Sequence, residues 1–153
     1  MFIKKVTDAL NKANIHYALV GGYAVAMHGA IRGTVDLDFV IALEQQQYKL
    51  VEKTFATLGL VPRLPVSANE IFQFRNEYIK NRNLVAWSFI NHNNPLEVVD
   101  IIITHDAKQM KTEILHVDGM TIKIATIDEI IKMKKKSGRP QDLEDIKALE
   151  KLQ

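Results

Sequence analysis

Two carboxylates set inside an otherwise apolar run constrain this chain more than any other feature. The stretch Val20–Ile41 reads VGGYAVAMHGAIRGTVDLDFVI. Tyr17–Val20 predicts a short buried strand, which Gly21 and Gly22 end by freeing the backbone for a tight turn. Tyr23–His28 predicts a short, largely buried helix closed by Gly29; Gly33 marks a second turn, and Val35–Ile41 predicts a second strand. Asp36 and Asp38 interrupt that strand. Alternation puts both on one face, about 6–7 Å apart, with Leu37 and Phe39 on the other. Two carboxylates this close repel unless something lies between them, and a hard divalent cation suits their oxygens. The Gly21-Gly22 turn opens a helix whose first N–H groups lack intrahelical partners, which favours phosphate. One segment thus offers an anion cradle and a metal clamp, equipment for a metal-bound triphosphate.

The remaining elements surround this segment. Phe2, Val6 and Leu10, with Ile3 and Ala13, mark an amphipathic helix that Asn14 ends. Gln45–Leu58 predicts a second, burying Tyr48, Val51, Phe55 and Leu58 and stopping at Gly59. Between Leu60 and Arg82, Pro62 and Pro65 argue against a regular helix, and the segment is the expected seat of acceptor specificity. Its Phe72, Phe74 and Tyr78 are read as packing residues. Asn83–Ile90 and Leu96–Ile103 predict a hairpin turning at Asn91–Pro95, the second strand interrupted by Asp100. Asp106–Met110 reads as a short helix, and Asp118-Gly119 as a hairpin turn. Thr126-Ile127-Asp128-Glu129 is a capping box starting a helix that Ser137-Gly138 ends. Pro140 opens a last helix, with a predicted buried stripe of Leu143, Ile146, Leu149 and Leu152.

Composition narrows the class. The 153 residues suit a single domain, 1–153, and the net charge of +2 does not by itself argue for nucleic acid or a membrane. Cysteine is absent, which excludes disulfide and thiol chemistry. With no apolar run of membrane-spanning length and no signal-peptide pattern, the expectation is a cytoplasmic protein.

GGYAVAMHGAIRGTVDLDFVI, EVVDII at Glu97–Ile102 and KKKSGRPQDLEDIKAL at Lys134–Leu149 together resemble the DNA polymerase β-type nucleotidyltransferase superfamily. The finer pattern is most similar to small bacterial AbiEii-like members of abortive-infection and toxin–antitoxin systems. The resemblance implies an α/β (α+β) fold: a small mixed sheet flanked by helices. It implies transfer of a nucleoside monophosphate from an NTP to a hydroxyl acceptor with Mg²⁺ or Mn²⁺. Asp36, Asp38 and Asp100 would bind metal, and Asp100 would take the acceptor proton. One ion at Asp36 and Asp38 would hold the triphosphate, and a second, shared with Asp100, would activate the acceptor. Lys134 would contact phosphate. Where the family often has Gly-Ser, this chain has Gly21-Gly22, so phosphate would be met by backbone N–H groups or by other side chains.

Each site has a plainer alternative. Arg32 and Thr34 stand before the Asp pair, where Arg32 would serve the triphosphate or a surface salt bridge. Lys132–Lys136 is ordinarily a solvated helix face. Arg139, Asp142 and Asp145 are expected to form a structural charge cluster, and His28 to pack or cap. The acceptor stays open between an RNA end, a protein side chain and a small molecule. A homodimer or a partner protein is expected to complete the acceptor surface. One rival is a non-catalytic, antitoxin-like module binding a nucleotide or a partner on the same fold; another is nucleic-acid binding through the lysine face.

Overall fold

The computed structural model describes residues 1–30 and 36–153. Seven strands form one mixed sheet in the order β3-β4-β5-β2-β1-β7-β6. These are β1 (Tyr17–Val20), β2 (Leu37–Ile41), β3 (Val61–Pro62), β4 (Ala86–Asn91), β5 (Asn94–Ile102), β6 (Thr112–Val117) and β7 (Met120–Ala125). The helices are α1 (Phe2–Lys12), α2 (Gly21–Met27), α3 (Gln45–Thr57), α4 (Ala68–Gln73), α5 (Arg75–Arg82), α6 (Ile127–Ser137) and α7 (Pro140–Glu150). Ala107–Gln109 forms a single 3₁₀ turn.

At the centre, β1 and β2 run antiparallel, β2 pairs parallel with β5, and β1 pairs parallel with β7. β1 is buried throughout, as a central strand must be. Register then sorts the side chains. Leu37 pairs with Val99 and Phe39 with Ile101; Val99 and Ile101 in turn pair with Phe89 and Trp87. This row meets α3, where Phe55 packs edge-on against Phe89 and Tyr48 stacks on Trp87. The alternate row, Val20, Asp38, Asp100 and Ser88, lies on the other face. Helix packing follows the same division: α1 and α3 touch each other, α3 touches α4, α2 touches β1, β2 and α6, and α6 touches α7.

Local chemistry explains most boundaries. Ile3, Val6 and Leu10 bury one face of α1, and Asn14 ends it with φ 57°. Asp118 and Gly119 both take positive φ, 49° and 75°, as a two-residue turn joining right-twisted strands requires. Thr126 caps α6 by accepting from Glu129 N–H, but the reciprocal half of the box is missing. Glu129 Oε1 instead accepts from Lys111 N–H at 3.2 Å, tying α6 to the segment before β6. Gly138, at φ 68°, terminates α6.

Two expectations are corrected. The segment 60–82 contains two helices, because Pro62 and Pro65 affect only its first residues. From Ser67 onward a full capping box operates: Ser67 accepts from Glu70 N–H at 3.3 Å, and Glu70 accepts from Ser67 N–H at 3.2 Å. The predicted stripe of α7 also fails in part. Leu143 is 53% exposed and Leu152 44%, while Asp142 and Asp145 are buried beside Ile146 and Leu149. Two carboxylates turn inward because α6 presents them a lysine.

The Ser67 cap closes the start of α4 reciprocally with Glu70. Ser67→Ala should therefore lower stability by about 1 kcal/mol, read as a lower urea midpoint at unchanged slope.

Candidate active site

The sheet pairing brings Asp38 directly opposite Asp100 on neighbouring parallel strands. Both side chains lie on the face away from the aromatic core, so chain positions far apart in sequence meet. Asp100 Oδ1 is buried and has no hydrogen-bond partner. Burial, then the charges of Asp100 and Asp36 and a hydrogen bond with Asp100, push the Asp38 carboxyl up to about 7, with Lys134 acting in the opposite sense. A carboxylate pair with an orphaned buried oxygen suits a hard cation, since carboxylate oxygens are the ligands such ions take. Asp36 precedes the β2 ladder, so no strand pairing fixes it against the other two. Among the described residues, no three acidic, histidine or cysteine side chains gather as a metal cage. Strand pairing thus sets Asp38 against Asp100, and Asp36 adds its charge at Asp38. Arg32 and Thr34 lie outside the described residues.

Gly21 follows β1 and passes against Asp38. It has φ +71°, and a Cβ built there would lie 2.1 Å from Asp38 Oδ2. Only glycine permits that approach. Gly22, next in α2, is buried.

Facing the pair, Lys134 on α6 is held by α7. Its Nζ lies 2.9 Å from Asp145 Oδ2 and 3.4 Å from Asp142 Oδ1. Arg139 Nε adds a bond to Asp142 Oδ2 at 3.0 Å, and Ser137 Oγ donates to the same oxygen at 2.7 Å. Burial alone would raise the Asp142 pKa, but the bonds from Arg139 and Ser137, the Arg139 backbone N–H and the Lys134 charge hold it down to about 2. Lys134 is thus no member of a solvated lysine face: it is buried, oriented and sensed electrostatically at Asp38.

These groups border a cavity of about 660 Å³ that includes Gly21, Asp38, Lys134, Arg139 and Asp142, a volume typical of small-molecule sites. The α5 residues Arg75, Asn76 and Ile79 form another part of its wall, joined by Thr104 and His105 just beyond β5. No sequence motif marks Arg75 or His105; each belongs to a segment flanking the acidic strand. Phe72 packs edge-on against Tyr48, as a core residue does. His28 caps α2 and lies 2.8 Å from the Ala125 carbonyl through Nε2.

Two outcomes follow. Gly21→Ala should cost roughly 1–3 kcal/mol from the positive φ alone, more once Asp38 is displaced, measured by denaturant unfolding. For Asp38, the folded-state pKa lies above that of the unfolded chain. Its contribution is therefore fullest below the ordinary carboxylate range and is lost as pH rises through about 7. Asp38→Asn should gain in urea midpoint over the parent chain as pH is raised from about 4 to about 8; a pH-independent difference would show an unperturbed carboxyl.

No protein-family model matches this sequence, and no curated protein matches it. Solved structures do resemble it. The solution structure of the antibiotic-resistance factor ANT(2'')-Ia superposes with TM-score 0.63 at 12% identity, covering 97% of this chain and 80% of that one. The crystal structure of ANT(2'')-Ia with adenylyl-2''-tobramycin gives 0.60 at 12% identity, covering 96% and 84%. TM1012 of Thermotoga maritima, described as a nucleotidyltransferase, gives 0.62 at 14% identity, covering 95% and 88%. The mixed sheet and its helices thus have the nucleotidyltransferase fold.

Proposed function

We propose that this chain is a metal-dependent nucleotidyltransferase. The observation carrying this reading is the in-register Asp38–Asp100 pair, with its unpartnered buried oxygen, next to a cavity lined by Asp38, Lys134 and Gly21. Its structural neighbours, nucleotidyltransferases by name, support the same class.

Asp38 and Asp100, with Asp36 nearby, would hold Mg²⁺ or Mn²⁺. Such an ion would neutralise triphosphate charge and acidify the acceptor hydroxyl. The residues themselves would divide the work. Asp100 would take the proton as the acceptor oxygen bonds to the α-phosphorus of the NTP. The bond to the β-phosphate would break, and pyrophosphate would leave. Lys134, fixed by Asp142 and Asp145, would meet the charge that builds on that leaving group. The Gly21-Gly22 backbone would lie along the phosphates, with Arg32 and Thr34 contributing. Catalysis of this kind is mainly positioning and electrostatics.

On the finer level we assign the chain to the small bacterial AbiEii-like group, in a toxin–antitoxin or abortive-infection setting and in the cytoplasm. Among the described residues no helix is long and apolar enough to cross a membrane. The acceptor would be an RNA end, a protein side chain or a small molecule, with a second copy or a partner protein completing its surface. The ANT(2'')-Ia complex contains adenylylated tobramycin. An aminoglycoside carries several amines, whereas the cavity here is bordered by Arg75, Lys134, Lys136 and Arg139 against Asp38 and Asp142. A polycation is a poor match for that wall. The rival is a non-catalytic binding module on the same fold.

Labelled NTP, Mg²⁺ and panels of RNA, protein and small-molecule acceptors separate these readings. The expected result is transfer of label with release of pyrophosphate. Asp38→Asn and Asp100→Asn should each abolish it while the proteins remain folded. Transfer surviving either change rejects the assignment of Asp38 and Asp100 as the residues that carry it. NTP binding with no transfer across the whole panel selects the binding module.

A further inference from the structure

The cations around the cavity fall into two groups. Lys134 and Arg139 are matched by Asp142 and Asp145. Arg75 and Lys136 are not: among the described residues neither forms an ion pair with a carboxylate. His105 lines the same cavity. Burial, then the Lys136 charge, lower its pKa; Glu129 opposes this and Arg75 adds to the lowering.

The geometry is that of a prepared site. Arg75 Nε donates to the Ile103 carbonyl, which fixes the plane of the guanidinium at the cavity wall. Its Nη1 makes only a long 3.5 Å contact with Asn76 Oδ1. His105 engages Thr104 Oγ1 through Nδ1 at 2.8 Å, which leaves Nε2 for another ligand. Ile79, Val85, Ile102, Ile130 and Met133 supply the apolar remainder of the wall, where charge–charge effects are less screened than in water. Two unmatched cations on the wall of one cavity repel one another, and an anion bound there offsets that repulsion.

We infer that Arg75, His105 and Lys136 form a second anion subsite of this cavity, one that takes a phosphate group. A guanidinium offers paired donors matched to phosphate oxygens, and an ammonium and an imidazolium complete the shell. The subsite rests on the nucleotidyl-transfer reading only for the source of its phosphate. That source is either the terminal phosphates of the nucleotide or a phosphate carried by the acceptor. In both cases the ligand is an extended anion, held at one end near Asp38 and at the other by this cluster.

Imidazole NMR of the full chain, without added metal, reads the subsite directly. Inorganic phosphate should shift the His105 resonances and raise the His105 pKa. Lys136→Gln, a change at an exposed position, should weaken phosphate binding about tenfold, the loss of one charge-assisted hydrogen bond. Arg75→Gln should do the same. Lys132→Gln, an equal charge change on an exposed residue of α6 outside the cavity lining, should leave the affinity unaltered. If ATP loses affinity with Lys136→Gln by a similar factor, the nucleotide supplies the phosphate. If ATP affinity holds and that of a 5'-phosphorylated oligonucleotide falls, the acceptor does. His105 signals that ignore phosphate, or a Lys132→Gln effect as large as that of Lys136→Gln, overturn the subsite. Phosphate bound at His105 in a protein that transfers no label would instead remove the catalytic reading and leave the subsite standing.

Discussion

Two aspartates placed side by side on adjoining parallel strands govern the rest of this structure. Like charges at such spacing are costly away from water, and Asp38 answers by holding its proton unusually well. The neighbourhood is built around that cost. A glycine with a left-handed backbone leaves room for the Asp38 oxygens, and a lysine opposite supplies a compensating charge. That lysine must itself be kept from solvent and aimed, which is why α7 gives up part of its apolar face to two carboxylates. One electrostatic problem at the sheet is thus solved by three elements in sequence.

The sheet's two faces share this division of labour. On one, Leu37, Phe39, Val99 and Ile101 join Trp87 and Phe89 against α3, and the aromatic contacts there secure the register. Because side chains alternate strictly, fixing that face also fixes where Asp38 and Asp100 point. A slip of one residue between β2 and β5 would put the two carboxylates on opposite faces and turn one of them toward the aromatics. The apolar packing therefore specifies the polar site without touching it.

Much of this architecture was legible in local chemistry. The acidic interruptions of two apolar strands, the Asp118-Gly119 turn, the Thr126 cap and the Pro140 start each state their geometry within a few residues. What was not legible depends on contacts across the chain. In α7, counting leucines picked out Leu143 and Leu152, because an apolar pattern cannot register that Asp142 and Asp145 have a buried cation waiting for them. In α4 and α5, the prolines at 62 and 65 drew attention away from the Ser67–Glu70 box. Arg75 and His105 belong to no motif at all. They reach the cavity only because α5 folds back to the end of β5, where Arg75 grips the Ile103 carbonyl.

The pinning of Lys134 by α7 also bears on the order in which the molecule matures. As the polypeptide leaves the ribosome, Asp38 and Asp100 emerge well ahead of Asp142 and Asp145. The counter-ions that aim the lysine are thus made after the carboxylates it faces, and its fixed pose waits on α7.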